Sequence, residues 1–158
     1  GLYWPMNTKD WSTTEATAMA DVNFTGAMRT LGLIVPQFVN RDQGHIVITG
    51  SLGGFRGMPG AIGYSAAKAA LMTLAECMKI DLKNTGVSDQ MVNPGYIKTR
   101  LTDKNTGSMP FIMEPDEAAE IMYKHMRSDK FSISFPNLFA SFFRLLPLLP
   151  NWLYYRIL

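Results

Sequence analysis

The chain has 158 residues, of which 47% are apolar and 18% are charged, a composition typical of one globular domain with its own core. The net charge of +2 is too small to indicate nucleic acid binding, and no group of Cys and His residues has the spacing of metal ligands. Cys77 stands alone, which excludes an internal disulfide framework, and we expect it to be a small buried hydrophobic residue. A reducing, cytoplasmic location is consistent with this cysteine usage.

The first predicted element is a long helix. Residues 12–15 read Ser-Thr-Thr-Glu, the pattern of a capping box, in which the serine and the glutamate satisfy free backbone N–H groups. We therefore expect a mostly helical stretch from Thr13 to Val39, with Asn23 inside it.

Strands and helices alternate in the middle of the chain. Residues 45–49 are apolar and β-branched, which predicts a buried parallel strand. A glycine-rich loop over residues 50–63 then leads to an alanine-rich helix over residues 64–83. A second strand is expected over residues 87–92, and it ends at an Asn-Pro-Gly sequence.

The C-terminal third continues the alternation. Residues 98–113 predict a loop, and Pro115 opens a helix that we expect to run from Asp116 to Met126. Residues 131–135 alternate between polar and apolar and predict a last strand. The tail, residues 137–158, is rich in Phe, Leu, Trp, Tyr and Pro.

This order of elements predicts an α/β fold: a doubly wound, Rossmann-like parallel sheet with right-handed crossovers. Three strands are too few for such a sheet, so we expect the C-terminal half of one, with the first βαβ units missing. We assign residues 1–136 to this single domain. Residues 137–158 form an apolar tail that packs on the body or on a partner, or lies on a membrane surface.

Tyr64 and Lys68 are four residues apart on the second helix and so share one face. A nearby ammonium favours the phenolate form, which brings a phenol closer to proton exchange at neutral pH. Ser51 directly follows the first strand, and Pro94 and Gly95 follow the second. Because ligands in doubly wound sheets bind beyond the carboxyl ends of the strands, we expect these residues to meet in one cleft.

With these motifs the chain resembles the short-chain dehydrogenase/reductase family. Its YxxxK pair falls on Tyr64 and Lys68, and its catalytic serine, thirteen residues before the tyrosine, falls on Ser51. Its helical asparagine falls on Asn23, and its Pro-Gly motif falls in the stretch from Asn93 to Thr99. The resemblance covers residues 1–102 well and the remainder more loosely.

The resemblance implies an NAD(P)-dependent oxidoreductase that transfers a hydride between a nicotinamide cofactor and an alcohol or carbonyl substrate. Tyr64 is then the general acid/base, Ser51 binds the same substrate oxygen, and Lys68 lowers the pKa of the phenol and contacts the nicotinamide ribose. Asn23 kinks its helix and holds a water of a proton relay. The cofactor also contacts Pro94, Gly95, Ile97 and Thr99.

The family's glycine-rich cofactor loop, TGxxxGxG, and the residue that selects NAD or NADP are absent from this sequence. The preference between NAD and NADP therefore cannot be read. We expect the chain to be a fragment, to lack roughly 100 upstream residues, and to be inactive by itself. Two alternatives stay open: a non-enzymatic, folded or dimerising remnant, and a membrane-surface binding module.

Several expectations concern substrate and partners. The candidate cleft lining is apolar, which favours an apolar or lipid-like substrate; it comprises Trp4, Leu52, Phe55, Tyr96, Met109, Phe111 and Met113. Arg56 is either solvated or meets an anionic substrate group. The family implies a homodimer or homotetramer that forms through the two long helices, and peripheral membrane contact through the tail is a further possibility.

Asp89 interrupts an apolar strand, so it either has a partner or shifts the strand.

Overall fold

The computed structural model describes residues 1–105 and 107–157. Its centre is a three-stranded parallel sheet in the order β1-β2-β3. The strands are β1 (Gly44–Thr49), β2 (Val87–Pro94) and β3 (Ser132–Phe135). The α/β class and the parallel sheet predicted from the sequence are confirmed. β2 runs two residues past its predicted end because Asn93 and Pro94 pair with β3.

Six α-helices surround the sheet in the part of the chain that the structure describes. They are α1 (Thr13–Ala20), α2 (Gly26–Asn40), α3 (Ile62–Asp81), α4 (Pro115–Met126), α5 (Asn137–Leu145) and α6 (Asn151–Ile157). Short 3-10 turns lie at Thr8–Asp10, Leu52–Gly54, Thr102–Lys104 and Leu146–Leu148.

The long first helix is interrupted in its middle. Ser12 caps α1, since its hydroxyl accepts the Glu15 N–H at 3.4 Å. One π-helical turn (Asp21–Thr25) then separates α1 from α2. Such a wide turn bends a helix and redirects a side chain. Here it carries Asn23, which is 4% exposed.

The main core lies between α3 and the sheet. Ala67, Leu71 and Ala75 recur every four residues and form one buried face of α3. Leu71 and Ala75 share a core cluster with Ile46 and Ile48 of β1. This packing fixes the rotation of α3 about its axis, and therefore fixes where its polar side chains point.

The structure settles the burial and pairing expected of Asp89 and Cys77. Asp89 does not shift the strand: it stays in register opposite Ile46 and has a partner, because Lys79 Nζ lies 3.6 Å from its carboxylate. Cys77 is exposed, so the prediction of burial is wrong; it lies on the face of α3 turned away from the sheet. His125 of α4 is also buried, with 4% of its surface exposed, and its carbonyl accepts a hydrogen bond from Gln90.

The tail folds into α5 and α6 around the Leu146–Leu148 turn and packs on the body. Ala140, Phe143 and Tyr154 are buried in one cluster with Leu52. Among the described residues, no helix is both long enough and apolar enough to cross a membrane.

Candidate active site

The carboxyl ends of β1 and β2 lie side by side and open into one cleft. The N–H of Gly50 donates to the Val92 carbonyl at 2.8 Å, which joins the two strand ends. A Cβ at Gly50 would lie only 2.2 Å from Asn93 Oδ1, so a larger residue here would displace the Asn93 side chain. This contact delivers Ser51 to the edge of the sheet.

Ser51 begins the Leu52–Gly54 turn. Its side-chain oxygen accepts the Gly53 N–H at 3.2 Å, and the residue is 8% exposed. Because the backbone amide occupies a lone pair of Oγ, the O–H remains available as a donor to another group in the cleft.

Tyr64 and Lys68 extend from the first two turns of α3 into the same cleft. Lys68 Nζ lies 5.8 Å from the centroid of the Tyr64 ring. The ammonium donates to the Thr49 carbonyl at 2.9 Å and is otherwise enclosed, since Lys68 is 8% exposed. The structure thus brings Ser51, Tyr64 and Lys68 together.

Burial controls the proton affinities of this pair. It raises the pKa of the Tyr64 phenol, and the side-chain interaction with Ser51, which lowers that pKa, does not outweigh it. It also lowers the pKa of Lys68 to about 8. The sequence predicted a phenol pKa lowered by Lys68, so the net direction here is opposite. The reason is that a poorly hydrated site disfavours the phenolate and the ammonium alike.

Asn23 does not contact Ser51 or Tyr64 through any hydrogen bond of the structure. Its amide instead clamps Leu2: Oδ1 accepts the Leu2 N–H at 2.7 Å, and Nδ2 donates to the Leu2 carbonyl at 2.6 Å. This clamp holds the first residues of the chain at the cleft. Tyr3 follows directly, and its ring packs edge-on against the Tyr64 ring with 5.4 Å between centroids.

The segment after β2 forms the opposite rim. Pro94, Gly95, Ile97 and Thr99 all line the cleft, as does Thr102. Thr102 was not among the predicted site residues. Its hydroxyl donates to the Ile97 carbonyl at 2.8 Å and accepts the Thr99 N–H at 2.9 Å, so it organises this rim.

The cleft has a volume of about 440 Å³ and a largely apolar wall. Of the seven apolar residues expected in the lining, Leu52 and Tyr96 lie there. The remaining five do not line it: Trp4, Phe55, Met109, Phe111 and Met113. Met113, for example, is buried in the core beside β2 and β3.

Two wall residues that sequence reasoning missed come from the tail. Phe139 and Phe143 of α5 line the cleft, and their rings are in T-shaped contact at 4.9 Å. Phe139 also packs against Tyr96, with 6.0 Å between ring centroids. The only signal for them in the sequence was the aromatic content of the tail. That content does not indicate where the tail lies against the sheet.

Arg56 is half-buried and does not line the cleft, so it is neither the free loop arginine nor the substrate contact that the sequence suggested. Its guanidinium binds the tail, where it donates to the carbonyls of Leu146 and Leu149. The Leu146 and Leu149 carbonyls both lie within reach of Nη1, and a planar guanidinium is the donor that can bind several acceptors at once.

The known proteins that this chain resembles in sequence are described as dehydrogenases or oxidoreductases. The family model for short chain dehydrogenase matches residues 1–109. An uncharacterized oxidoreductase of Myxococcus xanthus is 43% identical over 134 residues, which are 85% of this chain and 53% of that protein. Another, from Staphylococcus saprophyticus, is 31% identical over 65% of this chain and 44% of its own length. The chain therefore spans about half the length of the curated relatives it matches.

Solved structures agree with the fold. A short chain dehydrogenase from Burkholderia cenocepacia, in complex with NADP, superposes with a TM-score of 0.85 and 21% identity over all of this chain and 67% of that one. A short-chain dehydrogenase/reductase from Burkholderia phymatum, in complex with NAD, gives a TM-score of 0.83 and 18% identity over 94% and 63%. With its Rossmann-like fold and the family match over most of its length, the chain belongs to the short-chain dehydrogenase family of oxidoreductases.

Proposed function

We propose that this chain carries the catalytic centre of an NAD(P)-dependent oxidoreductase that interconverts an alcohol and a carbonyl compound. The observation that carries the proposal is the convergence of Ser51, Tyr64 and Lys68 at the carboxyl ends of β1 and β2. We further propose that residues 1–136 complete a cofactor-binding domain together with upstream sequence, and that residues 137–158 are its substrate-side tail.

The cleft residues fit a nicotinamide cofactor. An ammonium has three N–H donors, and Thr49 takes one of those of Lys68, which leaves two for the hydroxyls of a ribose. Pro94, Gly95, Ile97 and Thr99 form the rim that would hold the nicotinamide end. When bound, the cofactor supplies the hydride chemistry, and the protein supplies orientation and electrostatics.

Tyr64 and Ser51 act on the substrate oxygen. The raised pKa of Tyr64 keeps the proton on the phenol at neutral pH, which is the form that protonates a carbonyl oxygen. Ser51 donates its O–H to the same oxygen, and one preorganised donor of this kind contributes ~3 kcal/mol to transition-state stabilisation. Asn23 supports a water of the proton relay that returns a proton toward Lys68.

The wall of the cleft favours an apolar substrate. Leu52, Met58, Tyr96, Phe139 and Phe143 present aromatic and aliphatic surface around the Tyr64 hydroxyl. Burying such surface is favourable at about 25 cal/mol per Å². We therefore propose an apolar or lipid-like carbonyl or alcohol as the substrate class.

The test is an activity assay on the complete product of the reading frame that contains this sequence. NADH and NADPH oxidation are measured with a series of aldehydes and ketones of increasing chain length. We expect turnover with one cofactor, kcat/KM rising with chain length, and a loss of about 100-fold in Ser51→Ala. Ser88→Ala, at an exposed serine of β2, is the control. Absence of NAD(P)-linked turnover on any carbonyl or alcohol favours the alternative of a non-enzymatic remnant.

The assembly that we propose is a homodimer or homotetramer through α2 and α3. Leu33 of α2 is 71% exposed and Ile80 of α3 is 73% exposed, so both helices carry uncovered apolar side chains. Light scattering on the eluting protein measures the mass directly. A monomer at micromolar concentration contradicts this assembly.

A second candidate function is attachment to a lipid surface through the tail. Leu138, Phe142 and Leu145 recur at helical spacing on α5 and are 73%, 53% and 58% exposed. Arg144 and Arg156 accompany them, and no Asp or Glu follows Asp129 in the sequence. An apolar stripe with cationic neighbours fits the surface of an anionic bilayer.

Vesicle co-sedimentation tests this attachment. We expect the protein to pellet with anionic vesicles, to pellet less with neutral ones, and to stay in the supernatant when Phe142 and Leu145 are changed to serine. Tyr123→Ser, at an exposed aromatic position of α4 outside the tail and outside the proposed assembly helices, is the matched control. The lipid assignment is contradicted if the tail variant and the control variant pellet equally. It is also contradicted if the tail variant still binds vesicles but no longer self-associates.

A further inference from the structure

Arg56 connects two segments that are 90 residues apart in the sequence. Its Nη1 donates to the carbonyls of Leu146 and Leu149, the latter at 2.8 Å, and its Nη2 donates to Asn151 Oδ1 at 2.7 Å. The guanidinium carbon also lies 3.8 Å from the centroid of the Tyr154 ring. One side chain thus binds the whole turn between α5 and α6.

Tyr154 makes a second connection to the next loop residue. Its hydroxyl donates to the Gly57 carbonyl and lies 3.7 Å from the sulfur of Met58. The residue is 3% exposed. The tail is therefore attached to the loop of residues 51–60 at two successive loop positions. The Arg56 guanidinium makes the first attachment, and the Gly57 carbonyl, which binds the Tyr154 hydroxyl, makes the second.

That loop is the one that begins with Ser51. Near its start, the Gly53 N–H binds Ser51 Oγ. The following residue, Gly54, packs directly on α3: a Cβ there would lie 3.0 Å from the carbonyl carbon of Lys68 and 3.1 Å from the nitrogen of Ala69. The loop is thus held between the catalytic helix on one side and the tail on the other.

We propose that Arg56 is a positioning residue of the active site. By fastening the tail to the loop, it fixes the Gly53 amide and so the direction of the Ser51 hydroxyl. It also sets the separation of the two apolar walls, Met58 on the loop and Phe139 on α5. This role rests on the proposed oxidoreductase function, in which Ser51 binds the substrate oxygen.

The contacts require an arginine in particular. A planar guanidinium can donate to three acceptors in fixed directions and stack on an aromatic ring at the same time, whereas a lysine ammonium is a single point charge on a flexible stem. Arg56→Lys therefore keeps the charge and loses the fork, so we expect it to recover little of what Arg56→Ala loses.

Two measurements on the complete protein test the role of Arg56. Steady-state kinetics of Arg56→Ala and Arg56→Lys should show kcat lowered about tenfold, because displacing a transition-state donor costs less than the 100- to 1,000-fold loss on removing one. KM for a long-chain carbonyl should rise as well. Hydrogen exchange should become faster in peptides that cover residues 51–60 and also in peptides that cover the tail. Arg127→Ala, an exposed arginine of the α4 end, serves as the control.

The outcomes separate the positioning role from the proposed function. Faster exchange in the tail alone, with unchanged kcat, shows that Arg56 only anchors the tail and overturns the positioning role. Unchanged exchange in both segments overturns it too. If the unmodified protein has no NAD(P)-linked activity while exchange in the Arg56 variants rises in both segments, the proposed function fails and the mechanical link stands. Tyr154→Phe, which removes one hydroxyl from the same link, should give the same pattern at smaller amplitude.

Discussion

Burying the ammonium of Lys68 lowers the free energy of unfolding at neutral pH. Its ammonium is buried with one protein acceptor, the Thr49 carbonyl at 2.9 Å, and its pKa falls to about 8 from an ordinary 10.5. Between these two pH values the unfolded chain binds more protons than the folded one. The free energy of unfolding therefore rises with pH across this window, and below it the full cost of burying the charge is present.

We predict that Lys68→Met stabilises the protein at pH 7 by about 1–2 kcal/mol, because the cost of burying the charge exceeds the value of one hydrogen bond. The advantage should shrink as the pH rises through 8 and vanish above about 10.5. Denaturant unfolding at several pH values measures this. A variant that is less stable at pH 7 by a pH-independent amount contradicts the prediction.

The polar side chains that we propose as catalytic were the most predictable residues of the cleft, and the apolar walls were the least. Helical periodicity places Tyr64 beside Lys68, and the rule that ligands bind at the carboxyl ends of parallel strands places Ser51 in the same cleft. Phe139 and Arg56 act across about 80 to 90 residues of sequence, and no local pattern sets where the tail returns to the body. The chemical roles of all the site residues stay predictions, those of Ser51, Tyr64 and Lys68 included.

At the scale of elements, β2 contains an unusual buried carboxylate. Asp89 is 2% exposed in the centre of the strand, and Lys79, with half of its side chain exposed, is its counter-ion at 3.6 Å. Burial raises the pKa of Asp89, and Lys79 offsets part of that shift. Because the folded pKa lies above the unfolded one, the carboxylate lowers stability at neutral pH, and this cost disappears as the pH falls below about 4.

We predict that Asp89→Val raises the free energy of unfolding at pH 7 by about 1–3 kcal/mol, since an apolar β-branched residue fits a buried strand better than an ion pair does. Lys79→Met should destabilise the protein, because it leaves the buried carboxylate without a counter-ion. In the Asp89→Val background the Lys79 change should have almost no effect. Thermal unfolding of the unmodified protein, the two single variants and the double variant forms a double-mutant cycle. Additive effects of the two changes would show that Asp89 and Lys79 do not interact.

Elements with strong local signals were predicted well. The Ser12 cap, the alanine-rich α3 and the β-branched β1 all lie within two residues of their predicted positions, because capping, propensity and burial agree there. The π-helical turn at Asp21–Thr25 has no comparable signal of its own, and only the family resemblance implied a kink at Asn23. The helices of the tail were not predicted from the sequence, because prolines at positions 147 and 150 interrupt the helical periodicity of its apolar residues.

At the scale of the molecule, we propose that the cleft binds the nicotinamide end of a cofactor. The sequence contains no TGxxxGxG loop of the kind that binds the pyrophosphate of a dinucleotide. We predict that the 158-residue chain alone gives no measurable NADPH or NADH oxidation, whereas the complete product of the reading frame does. Parallel assays at equal protein concentration decide this, and turnover by the 158-residue chain contradicts it.

In the proposed mechanism the Tyr64 hydroxyl transfers the proton, so the most direct test of that mechanism removes this hydroxyl alone. Tyr64→Phe keeps the half-buried ring and its edge-on contact with Tyr3. In the complete protein we predict a fall in kcat of at least about 100-fold with little change in thermal stability. Tyr123→Phe, at an exposed tyrosine of α4, should leave kcat unchanged. Turnover of Tyr64→Phe at the unmodified rate would contradict the mechanism.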